Sequence, residues 1–126
     1  MKQLITDLKV AVVMINWNGE EDSRVCLEAL KAQSINATLV VVDNGSSDNF
    51  SGFVKESHED VVLLENSKNL GFAGGANTGI KYAIDNNFDY VALINNDAIP
   101  TKTWLEELLK ASAEDAEIGI TTCKLL

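Results

Sequence analysis

Apolar residues in this chain fall into short solid blocks, each closed by polar turn-forming residues. Val10–Ile15, Thr38–Val42, Val61–Leu64 and the run beginning at Tyr90 and ending at Ile94 are such blocks, rich in β-branched and aromatic residues. Blocks this short and this uniformly apolar predict strands buried on both faces. Between them the apolar residues are spaced as on one face of a helix. Val25, Cys26, Leu27 and Leu30 predict a helix running to about Gln33, its first turn supplied by Glu20, Glu21 and Asp22 and its cap by Asp22 or Ser23. A short helix is expected over Phe50–Glu56. Another is expected through Ile80, Ala83 and Ile84 to about Asn86, and a fourth over Thr103–Ala113, with Trp104, Leu105, Leu108 and Leu109 on its apolar face. Ile118–Leu126 is predicted as a last strand. Strands alternating with helices imply an α/β fold: a mostly parallel, Rossmann-like sheet flanked by helices on both faces.

Length and charge narrow what such a sheet serves. The 126 residues suffice for one domain with a proper core. A formal charge of −9 excludes a nucleic-acid surface and a polybasic membrane anchor. No apolar run is long enough to cross a bilayer and the start lacks a signal-peptide core, so the default expectation is the cytoplasm. Cys26 and Cys123, both in apolar contexts, are expected as buried free thiols, and the lone His58 as a surface residue.

Three predicted strands end in polar clusters: Asn16-Trp17-Asn18, Asp43-Asn44-Gly45 and Asn95-Asn96-Asp97. In a parallel sheet all three fall on the edge where open α/β sheets bind ligands. Pro100 then stops the last of these strands from continuing. Familiar phosphate signatures are missing. Only Gly19 stands where a dinucleotide site wants G-x-G-x-x-G, and Ile80 intervenes before Lys81 where a P-loop wants lysine directly after its glycine. The missing phosphate loop after the first strand also counts against a flavodoxin-like module.

Three ordered motifs carry a resemblance. Leu39-Val40-Val41-Val42-Asp43-Asn44-Gly45-Ser46-Ser47-Asp48, then Asn69-Leu70-Gly71-Phe72-Ala73-Gly74-Gly75-Ala76-Asn77-Thr78-Gly79-Ile80, then Leu93-Ile94-Asn95-Asn96-Asp97 resemble the family 2 glycosyltransferases, in particular their rhamnosyltransferase-like branch. The resemblance covers nearly the whole chain. It implies that residues 1–126 form the nucleotide-binding half of a GT-A fold, ending before the acceptor-binding half. The implied activity is inverting transfer of a sugar from a UDP- or dTDP-sugar to a hydroxyl of a glycan or lipid-linked acceptor, with magnesium or manganese as cofactor. Such an enzyme works at the inner face of the membrane.

By the same resemblance, Asn16 and Trp17 meet the base, Trp17 as a stacking face. Asp43 accepts from base or ribose, and the glycine-rich segment from Gly71 to Gly79, expected as a loop, lets backbone approach the nucleotide. Asn77 holds that loop or touches the donor. Asn95, Asn96 and Asp97 stand in the family's D-x-D position, with Asp97 as the metal ligand. Two positions depart from the family: Asn95 replaces a carboxylate, and Ala76 replaces an arginine common among relatives. No general base is identifiable, since Asp85, Glu106 and Glu107 have the spacing of solvated helix faces. A non-catalytic binding or interaction module is therefore the second reading. An α/β sheet ending at this point also leaves an open edge, through which self-association is expected.

Overall fold

The computed structural model describes residues 4–124. After a 3-10 turn at Ile5–Asp7, the chain alternates β1 (Val10–Asn16), α1 (Glu20–Lys31), β2 (Thr38–Asn44), α2 (Phe50–Ser57), β3 (Val62–Asn66), α3 (Gly71–Asp85), β4 (Tyr90–Asn95) and α4 (Trp104–Ala113). The strands form one sheet in the order β3-β2-β1-β4, with every pairing parallel. The α/β expectation holds. Among the described residues no helix is long and apolar enough to cross a membrane.

Alternation along β1 shows why its sequence is apolar throughout. Val10, Val12 and Met14 point into a core shared with Cys26, Leu27 and Leu30 of α1, Phe50 and Val54 of α2, and Leu105 and Leu109 of α4. Ala11 and Val13 point the other way, into a smaller core with Val40, Val42 and Ala83 of α3. Both faces are covered, so neither tolerates polarity. On β4 the α3 side is incompletely covered, and Leu93 remains 43% exposed. The outer edge of β4 has no partner strand among the described residues.

Several expectations are corrected. The α1 helix starts at Glu20 with Gly19 as its N-cap, not at Asp22 or Ser23. The cap is provided from β1, since the Gly19 N–H donates to Asn16 Oδ1 at 3.3 Å. The glycine-rich segment is not a loop: α3 begins at Gly71 and runs through all of its glycines. Gly75 and Gly79 face the sheet. A Cβ at Gly79 would lie 2.4 Å from Val13 Cγ1, and one at Gly75 would lie 3.1 Å from Ile15 Cγ2. A helical glycine costs about 1 kcal/mol relative to alanine; here that cost is offset by helix–sheet approach closer than any side chain permits.

Residues 118–124 form no strand; Thr121 Oγ1 instead lies 3.0 Å from Ser112 Oγ, which holds this stretch against α4, and the rest of the predicted strand lies outside the described residues. His58 is buried rather than superficial. It closes α2 and packs edge-on against Phe53, with ring centroids 5.0 Å apart. Cys26 is buried as expected, but Cys123 is exposed.

Candidate functional site

The three polar clusters meet because the register puts them side by side. Asn16 pairs with Asp43 across β1 and β2, and Ile15 pairs with Asn95 across β1 and β4. Side chains then lace the strand ends into one polar floor. Asn16 is fully buried, and its Nδ2 donates to Asp43 Oδ1 at 3.0 Å and to Ser46 Oγ at 3.1 Å. Asp48 lies just beyond, and its Oδ1 accepts from the Phe50 N–H at the start of α2. Ser23 Oγ donates to Asn16 Oδ1 at 2.7 Å, and Asn96 Nδ2 donates to Ser23 Oγ at 3.0 Å.

The loops after β1 and β2 are tied in the same way. Asn18 sits in the left-handed region at φ 49°, which asparagine tolerates better than most residues. Its side-chain oxygen accepts from the Ser47 N–H at 2.8 Å. Asn44, at the end of β2, has a satisfied amide. Its Nδ2 donates to Gly71 O at 3.0 Å and Asn69 Oδ1 at 3.1 Å, and its Oδ1 accepts from Asn66 Nδ2 and the Leu70 N–H. Together with the Gly71 N–H, which donates to Asn69 Oδ1 at 2.8 Å, these bonds fix the entry of α3 beside the ends of β2 and β3.

Beside this network, and reached by it through Asn96, lies a pocket of about 300 Å³ lined by Ile15, Trp17, Asn44, Asn69, Gly71, Phe72, Asn95 and Asn96. Trp17 is 53% and Phe72 58% exposed, so two aromatic faces stand open at a site otherwise rich in amides. Such a lining suits a planar ring stacked on an aromatic face, with hydroxyl or imide groups meeting the amides.

Of the residues expected from sequence, the pocket gathers Trp17, Gly71, Asn95 and Asn96. Asn16 and Asp43 are buried in the floor beside it. Asn77 is exposed on α3 and does not line the pocket. Asp97 is exposed, and among the described residues no hydrogen bond or ion pair engages its carboxylate. Its charge nevertheless reaches Cys26: burial first, and Asp97 second, push that thiol up to about 11. No cluster of three or more His, Cys, Asp or Glu residues among those described is placed to hold a metal ion. Sequence reasoning missed Ser23, Asn44, Asn69 and Phe72 as site residues. Asn44 was within reach as part of the second strand-end cluster. Nothing in the sequence separates Ser23 from an ordinary residue of the first turn of a helix.

Comparison with known proteins gives this arrangement a family. Residues 11–123 match the family model described as Glycosyl transferase family 2. The low-salt glycan biosynthesis hexosyltransferase Agl10 of Haloferax volcanii is 31% identical over 79% of this chain and 31% of its own length. The UDP-Glc:alpha-D-GlcNAc-diphosphoundecaprenol beta-1,3-glucosyltransferase WfgD of Escherichia coli is 34% identical over 82% of this chain and 39% of its own. Among solved structures, the mannosyltransferase PcManGT of Pyrobaculum calidifontis, in complex with GDP-Man and Mn2+, superposes with a TM-score of 0.74 at 24% identity. That match covers 89% of this chain and 34% of PcManGT. S. aureus TarS 1-349 in complex with UDP gives 0.73 at 21% identity, over 85% of this chain and 32% of TarS 1-349. The chain thus spans about a third of the length of these relatives. With its parallel sheet, its strand-end clusters and a family match running from β1 to beyond α4, the chain belongs to glycosyl transferase family 2.

Proposed function

We propose that this chain is the nucleotide-sugar-binding part of a glycosyltransferase that moves a sugar from a UDP- or dTDP-sugar to an acceptor hydroxyl with inversion. The observation that carries this reading is the pocket between Trp17 and Phe72, lined at the strand ends by Ile15, Asn44, Asn95 and Asn96, with the buried Asn16, Asp43 and Ser23 bonded behind Asn96. A pyrimidine ring stacks on Trp17, with Phe72 as the facing wall. Asp43 has lone pairs left after accepting from Asn16 Nδ2 and the Ser46 N–H, and it takes a proton donor of the base or ribose. Asn95 bonds a sugar hydroxyl. Relatives named for a UDP-glucose donor with a diphosphoundecaprenol acceptor, and for glycan biosynthesis, support a lipid-linked or glycan acceptor. The rhamnosyltransferase-like branch rests on the sequence motifs.

A chain of formal charge −9 binds a diphosphate only if cations or backbone amides offset the repulsion. One free carboxylate, Asp97, fits a magnesium or manganese ion that takes its remaining ligands from phosphate and water. When bound, that ion neutralises charge on the leaving diphosphate. Asp97 is the residue that would hold it.

A non-catalytic binding module is the second reading, favoured by one observation. Asp85, Glu106 and Glu107 are all spent in surface ion pairs with Lys81 or Lys110, which leaves none of them poised as a general base. Calorimetric titration of UDP, dTDP and GDP with and without manganese tests the donor site, with metal-dependent micromolar binding of a uridine or thymidine diphosphate expected. Donor hydrolysis above buffer then separates enzyme from module. Absence of binding by every nucleotide overturns the reading.

A further inference from the structure

We propose that Ser23 is a positioning residue of the nucleotide-sugar site: it turns the Asn96 amide so that Oδ1 faces the pocket as an acceptor for a sugar-ring hydroxyl. This rests on the function proposed above and assigns a role to a residue buried inside α1.

The direction of each hydrogen bond follows from the one before it. Asp43 and Asp48 are acceptors when ionised, and both carboxylates lie by the Asn16 side chain, so its NH2 group must face them. Asn16 Oδ1 is thereby turned toward Ser23 and Gly19, whose N–H also donates to it. The single hydroxyl proton of Ser23 is spent on that oxygen at 2.7 Å. Ser23 Oγ then has only lone pairs to offer Asn96, which donates through Nδ2 at 3.0 Å. The Asn96 oxygen is left for the pocket that Asn96 lines.

Packing holds the same orientation. The Asn96 amide lies so close over Gly19 that a Cβ there would sit 2.5 Å from Nδ2. Ser23 and Asn16 are both 0% exposed, so water does not replace either bond. An acceptor at this point repels phosphate oxygens and suits a hydroxyl, from ribose or from the transferred sugar.

The test is calorimetric titration of UDP, 2′-deoxy-UDP and UDP-glucose, each with manganese, against the wild type, Ser23→Ala, Ser23→Thr, Asn96→Ala and the Ser23→Ala/Asn96→Ala double variant. A neutral hydrogen bond is worth roughly fivefold in affinity. The wild type is expected to prefer UDP over 2′-deoxy-UDP if the hydroxyl is on ribose, or UDP-glucose over UDP if it is on the transferred sugar. Ser23→Ala and Asn96→Ala each reduce that preference about fivefold, the double variant loses no more than either single one, and Ser23→Thr keeps it. A purely structural role would lower every affinity alike and leave the ratios unchanged. Unchanged ratios, additive losses, or a wild type without either preference overturn the proposal while the donor site stands. A wild type that binds none of the three overturns the functional reading and this proposal with it. Asn96→Ala, at a partly exposed site, keeps the test decisive if Ser23→Ala does not fold.

Discussion

Asn16 and Asp43 are register partners at the ends of β1 and β2, and Asn16 Nδ2 lies 3.0 Å from Asp43 Oδ1 inside the protein. The pair turns two strand termini into one surface. It also satisfies a carboxylate that is only 6% exposed and has no ion-pair partner among the described residues. Burying such a group is costly unless its lone pairs find donors.

Removing the amide therefore affects stability before function. Asn16→Ala strips donors from Asp43 and Asp48, and we expect a loss of about 1–3 kcal/mol. Asn16→Asp adds a further carboxylate to the cluster and costs more. Urea denaturation of both variants checks the order.

Close packing of α3 on the sheet makes a second prediction. Gly79→Ala forces a methyl against Val13 and is expected to destabilise by about 1–3 kcal/mol, as overpacked cores do. Gly45→Ala is worse in kind. Its φ is +76°, and a Cβ would lie 2.6 Å from the Lys68 backbone, which has no rotamer to escape into. Thermal melting of the two proteins, with Gly45→Ala the less stable, is the measurement.

Asp97 should separate binding from stability. Its carboxylate is exposed and unengaged, so Asp97→Ala is expected to change stability by no more than about 0.5 kcal/mol. Under the proposed function, manganese-dependent UDP binding falls at least tenfold. Equal binding by mutant and wild type in the presence of manganese would remove Asp97 from the metal site.

The two thiols should differ sharply. Burial, and then the Asp97 charge, raise Cys26 from its ordinary 9.0 to about 11, so it is a neutral thiol at physiological pH. Cys123 is exposed. A thiol reagent at pH 8 is expected to modify Cys123 readily and Cys26 only on unfolding. The folded-state pKa is raised, so the stabilisation from the neutral thiol is complete below about 9. It fades as pH rises through about 11. A denaturation series from pH 7 to 11, compared with Cys26→Ala, isolates this contribution.

Much of the architecture could be read from residue order. Val10–Asn16 is recognisable as a strand because a strand covered on both faces must be apolar at every position, and its polar ending, like that of Tyr90–Asn95, marks the ligand edge. The strand-end clusters put Trp17, Asn95 and Asn96 on one edge, the family resemblance adds Gly71, and one pocket gathers all four. Glycines misled at α3: in isolation Gly71, Gly74, Gly75 and Gly79 look like a loop, because a lone helix gains nothing from them. The value of Gly75 and Gly79 exists only against Ile15 and Val13, contributed by a strand more than fifty residues earlier.

Periodicity and turn chemistry are local, so the sequence by itself determined the strand–helix alternation, the parallel sheet and the edge at which its polar residues collect. Contacts between distant residues decided the rest. Ser23 meets Asn96 across α1 and β4, Asn44 binds the entry of α3, and His58 is enclosed against Phe53. A hydrogen bond depends on angstrom-scale placement of two side chains, and for partners this far apart only the packed sheet and helices supply that placement.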